Sequence, residues 1–111
     1  PVVTTETLQV CVEPSRNAPD LLEAIDAETP PTFIVHTAED RTVPVTDSLA
    51  LAEHLSAVGV PFELHIFPSG AHGMALGTAF TSTGRPEMVD PAFAQWFDLA
   101  VNWLHREFPI V

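Results

Sequence analysis

Positive charge is what this sequence has least of. Arg and Lys together number 4 against 15 Asp and Glu, a formal net charge of −11. A surface so negative repels phosphate backbones and anionic lipid heads, which argues against nucleic acid and membrane surfaces as partners. Plain solubility accounts for most of the excess. Cysteine occurs once, at Cys11, so no internal disulfide can form and the redox compartment stays open. No run of about 18 apolar residues is present to span a bilayer as a helix. There are no repeats and no linker. No signal peptide is visible, and a chain that starts at Pro1 without a methionine leaves room for an upstream segment, so no compartment is assigned.

What is there is a globular mix, 46% hydrophobic and 17% charged over 111 residues. That length is one domain, able to bury roughly two thirds of the surface its unfolded form exposes.

Pro1 to Val3 is a short apolar stub. Thr7 to Val12 alternates, with Leu8, Val10 and Val12 on one side, as a half-buried strand does. Pro19 opens a short helix to about Ala27, and Glu28-Thr29-Pro30-Pro31 stops it. Thr32 to Thr37 is an almost continuous apolar, β-branched run, the composition of a parallel strand covered on both faces. After Pro44, Thr46 or Asp47 is placed to cap a helix reaching Val58, with Leu51, Leu55 and Val58 at helical spacing and Gly59 closing it. Phe62, Leu64 and Ile66 then alternate with Glu63, His65 and Phe67, a strand nearer the sheet edge. Ser69 to Pro91 is a long irregular loop, a length that is usually functional. Asp90-Pro91 starts a final helix to about Phe108, whose stripe Phe93, Trp96, Phe97, Ala100, Val101, Leu104 and Phe108 must bury against a sheet.

The chemistry falls at the ends of the two central strands. A right-handed crossover lays Thr32–Thr37 and Phe62–Phe67 side by side in one parallel sheet, so that the loops bearing Asp40 and His72 meet at its carboxyl edge. A carboxylate there can accept a hydrogen bond from one imidazole nitrogen while the other takes a proton.

Asp40-x-x-Val43-Pro44 and Phe67-Pro68-x-Gly70-x-His72-Gly73 resemble the C-terminal half of α/β-hydrolase fold esterases, nearest the carbohydrate-esterase, acetylxylan-esterase-like and prolyl-oligopeptidase-like branch. The likeness covers about Pro30 to Leu104. It implies an α/β fold, a small parallel sheet with flanking helices, as a single C-terminal subdomain over residues 1–111. It also implies Asp40 as triad acid and His72 as triad base, with Glu39 set aside, and a small ester as substrate, without cofactor or metal. The family's Gly-x-Ser-x-Gly nucleophile elbow is absent from this sequence, and so are its oxyanion-hole strand and loop.

The expectation is therefore an esterase portion that holds the acid and base and is inactive alone. The alternative is a non-catalytic, oligomeric remnant or interaction module. A sheet cut at its middle exposes a strand edge and apolar helix surface, so self-association or a complementing chain is expected.

Ser69 reads as a turn residue and Ser48 as part of the first helical turn, while Ser82 and Thr83 sit in the long loop. None is taken as the nucleophile. No two of the five histidines have a short metal-ligand spacing such as His-x-x-x-His. His36 points towards the carboxyl edge as a support for the site. Met74, Leu76 and Phe80 either line an acyl pocket or anchor the loop.

Overall fold

A computed structural model describes residues 2–4, 8–9 and 22–109. Its centre is strand β3, Thr32–Thr37, in which all six residues are buried. β1 (Val2–Thr4) and β2 (Leu8–Gln9) precede it and β4 (Phe62–Phe67) follows, in the sheet order β2-β1-β3-β4. β3 and β4 run parallel from Thr32↔Phe62 to Thr37↔Phe67. The strand order puts β4 at the edge, as its alternation predicts, and its residues are half-buried or exposed.

The N-terminal strands differ from expectation. Val2–Thr4 is a strand rather than a stub, and it pairs antiparallel with β3, as β2 does with β1, so the sheet is mixed. Of the expected strand from Thr7 to Val12, only Leu8–Gln9 is seen, because Val10–Val12 lie outside the described residues. Most of the helix expected from Pro19 lies outside them too; residues 22–24 are helical and a turn follows.

Successive side chains of a strand point to opposite faces, and β3 uses both. Ile34 packs with Leu51, Ala52 and Leu55 of helix α1 (Val45–Ala57) and with Ile25 and Val60. On the other face Phe33 and Val35 pack with Met74, Phe93, Ala100 and Trp103. Burying each such side chain is worth about 1.5–3 kcal/mol, so β3 is held between two helical layers.

Helix α1 begins two or three residues earlier than the capping pattern implies. Pro44, at φ −60°, occupies the N-cap position and no side chain caps the helix; Thr46 and Asp47 lie inside it. Its C-terminus follows the expected rule. Gly59, at φ 78°, donates to Ser56 O, and Val60 N–H reaches back to Leu55 O, the paired bonds of a Schellman ending.

The final helix comes in two pieces, α2 (Pro91–Ala94) and α3 (Trp96–Glu107). Asp90 caps the first by accepting from Ala92 N and Phe93 N at 3.0 and 3.2 Å. The stripe facing the sheet is Trp96, Leu99, Ala100 and Trp103, whereas Phe97 is 49%, Leu104 38% and Phe108 36% exposed. The expected stripe is therefore partly wrong, since Phe97, Leu104 and Phe108 belong to a second apolar face turned outward.

Candidate functional site

Both loops of interest leave the carboxyl ends of the parallel pair. The first turns on Asp40, whose Oδ1 accepts the N–H groups of Thr42 and Val43, each at 2.9 Å. This gives the Asp-x-x-Val-Pro spacing a physical sense. The carboxylate holds the last two amides of the loop, and Pro44, which has no N–H, then enters the helix.

Asp40 Oδ2 accepts from Nδ1 of His72 at 2.9 Å, so the acid and histidine singled out by sequence do meet. The Asp40 side chain is 7% exposed and that of His72 37%. His72 lines an open cleft of about 640 Å³ together with Glu39, Arg41, Ser69, Arg85 and Glu87.

A second histidine supports the acid from below. His36 lies on β3, its side chain 8% exposed. Its Nε2 donates to Val43 O at 2.8 Å and lies 3.3 Å from Asp40 Oδ2. A carbonyl can only accept, so the proton sits on Nε2, and Nδ1 accepts the Ser48 hydroxyl proton at 2.6 Å. His36 thus ties the end of β3, the Asp40 turn and the start of α1 together.

Burial of Asp40 pushes its carboxyl pKa up, but the other groups outweigh it. The Val43 N–H, the hydrogen bond from His72, the Thr42 N–H and the His72 charge together hold it below the ordinary carboxylate value. The pair therefore presents an ionised acid to an imidazole that reaches solvent. Such an arrangement can fix the Nδ1–H tautomer of a histidine and stabilise its imidazolium while Nε2 accepts a proton.

The other sequence candidates fall elsewhere. Ser48 is taken up by His36. The Ser82 hydroxyl is buried in a local turn, donating to Ala79 O at 2.9 Å and accepting from Gly84 N at 3.2 Å. Ser69 is exposed at the rim of the cleft. Met74 is 2% exposed and anchors its loop in the core, whereas Leu76 is half-buried and Phe80 is 91% exposed. His65 is bonded to Glu63 at 2.8 Å. Among the described residues no three His, Cys, Asp or Glu side chains are grouped to hold a metal ion. The Ser48 contact has no signature in sequence, because it depends on how α1 docks on β3.

Residues 11–89 match the prolyl oligopeptidase family. Among solved structures, the chain resembles MGS-M1, an alpha/beta hydrolase enzyme from a Medee basin deep-sea metagenome library, with a TM-score of 0.75 at 38% identity, covering 78% of this chain and 36% of that one. The sugar hydrolase YeeB from Lactococcus lactis gives a TM-score of 0.75 at 36% identity, covering 92% and 41%. The carboxylesterase Cest-2923 from Lactobacillus plantarum gives 0.73 at 30% identity, covering 77% and 31%. The chain spans between 31% and 41% of the length of these proteins. A match over most of the sequence, on a fold shared with α/β-hydrolase esterases, leads to one conclusion: this chain belongs to the prolyl oligopeptidase family, with the α/β-hydrolase fold.

Proposed function

We propose that this chain is the acid-and-base portion of a serine-type carboxylic-ester hydrolase, with Asp40 as triad acid and His72 as general base. The observation that carries the reading is the 2.9 Å bond between His72 Nδ1 and Asp40 Oδ2 beside an open cleft. In the proposed reaction a serine hydroxyl attacks the ester carbonyl and gives its proton to His72 Nε2. The imidazolium, held by Asp40, then passes that proton to the departing alkoxide as the acyl-enzyme forms; water repeats the sequence to release the acid. The serine and the oxyanion-hole donors come from a segment beyond these residues, in the same or another chain, and without them the chain is inactive. Small acyl esters, including acetylated sugars, are the proposed substrates, supported by the carboxylesterase and the sugar hydrolase among the similar structures.

The outward face of α3 is consistent with such a partner. Phe97, half-buried Val101 and Leu104 lie about one helical turn apart along it, with Phe108 just past its C-terminus, and leaving the exposed Phe97, Leu104 and Phe108 wet costs about 1.5–3 kcal/mol each. Either a nucleophile-bearing portion or a second copy of this chain would cover them.

The test is complementation. The purified chain, the serine-bearing N-terminal portion of a related esterase, and the two mixed are assayed on an aryl acetate. Turnover confined to the mixture supports the reading. Absence of turnover in the mixture, with complex formation demonstrated, favours a non-catalytic remnant or interaction module instead.

A further inference from the structure

We infer that Thr37 and Glu39 are positioning residues that hold Gly70 by its C=O and its N–H and so hold the His72 loop against the Asp40 loop. The inference rests on the reading of Asp40 and His72 as acid and base. The Thr37 hydroxyl donates to Gly70 O at 2.7 Å, and Gly70 N–H donates to Glu39 Oε1 at 2.7 Å. The backbone ladder joining β3 to β4 ends just before this point, with Ala38 N bonded to Phe67 O at 2.8 Å. Pro68 has no N–H with which to extend it. Besides the ladder, three side-chain bonds among the described residues tie the His72 loop to the end of β3 and the loop that follows it: Thr37 to Gly70, Glu39 to Gly70, and Asp40 to His72.

The grip has both a buried and an exposed half. Thr37 is 3% exposed and Gly70 half-buried, so their bond is partly shielded from water. Glu39 is exposed, but its bond is charge-assisted, an ionised carboxylate accepting from an amide. Gly70 suits the role because its φ of +135° disfavours any residue with a side chain, and a Cβ there would overlap the Met74 Cε methyl. Gly70 can therefore press against both partners. Glu39, passed over as the triad acid, fixes where the base loop lies.

The test uses the isolated chain and reads His72 directly. Nitrogen-15 NMR is recorded over a rising pH series and the tautomer is read on the alkaline plateau, where the ring nitrogen shifts no longer change, alongside amide exchange at Gly70. In the unaltered chain His72 carries its proton on Nδ1 and the Gly70 amide is protected. Glu39→Ala speeds Gly70 exchange about tenfold, the effect of losing one ordinary hydrogen bond, and shifts His72 towards the Nε2–H form that free imidazoles favour in water. Thr37→Val shifts His72 in the same way. Glu39→Gln and Thr37→Ser, which keep an acceptor and a donor, restore the original pattern.

An unchanged His72 pattern in both Glu39→Ala and Thr37→Val overturns the positioning role. If Thr37→Val fails to fold, the exposed Glu39 pair decides alone. A His72 that lacks the Nδ1 proton in the unaltered chain overturns the acid-and-base reading itself, so the two failures are told apart.

Discussion

His36 Nε2 lies 3.3 Å from Asp40 Oδ2, the oxygen that also accepts the His72 Nδ1 proton, so one carboxylate oxygen stands between two imidazoles. The two histidines are not equivalent. His36 is fixed on both nitrogens by protein groups, whereas His72 has one nitrogen held by Asp40 and its ring at the cleft. The inner ring belongs to the scaffold, and the outer ring is the one available for chemistry.

Ser48→Ala tests the inner ring. It removes the hydroxyl that donates to His36 Nδ1 and leaves a buried acceptor without a partner, which costs about 1–3 kcal/mol. Urea unfolding of the variant is expected to show an unfolding free energy lower by that amount, with a lower midpoint; an unchanged midpoint would mean that the bond does not form.

Asp40 sets a dependence on acid. Its folded pKa lies below the ordinary value, and the unfolded value is about 3.9. The ionised carboxylate therefore contributes stability that is fully present above about pH 3.9 and is lost as pH falls through the lower folded value. Thermal unfolding followed from neutral pH downward should bring the unaltered chain and Asp40→Asn together at the acid end. A stability gap that stays constant with pH would contradict this.

Gly70→Ala should be more damaging than its size suggests. The added Cβ meets Thr37 Cγ2 at 3.0 Å and the Met74 methyl, in a backbone region that side chains avoid. Met74 is 2% exposed and cannot easily give way. A loss of more than about 1 kcal/mol is expected from denaturant titration, and a neutral result would show that the loop rearranges freely.

The outward face of α3 predicts association. The isolated chain should run larger than its 12.0 kDa mass in size-exclusion with light scattering, and Phe97→Glu with Phe108→Glu should return it to a monomer. A clean monomer for the unaltered chain would refute the need for a covering partner.

The central unit was legible because its signals are local. Thr32–Thr37 is β-branched and apolar throughout, Gly59 marks the end of α1, and the Asp40 and His72 spacings place both groups at one sheet edge. The covered face of the last helix was not legible. Trp96, Leu99, Ala100 and Trp103 satisfy the helical period as well as Phe97, Val101, Leu104 and Phe108 do, so periodicity cannot choose between them. Packing against Phe33 and Val35 decides it. The antiparallel pairing of β1 likewise has no trace in a period of two. Glu39 was set aside as the triad acid, and its contact with Gly70 was not legible because Gly70 lies on a loop brought near by the parallel pairing of β3 with β4.

The most direct measurement is kcat on an aryl acetate for the complex of this chain with a serine-bearing esterase portion, compared with the same complex carrying His72→Ala. A fall of at least about 10³-fold with complex formation intact is the predicted result. Turnover unaffected by His72→Ala would contradict the assignment of His72 as the base.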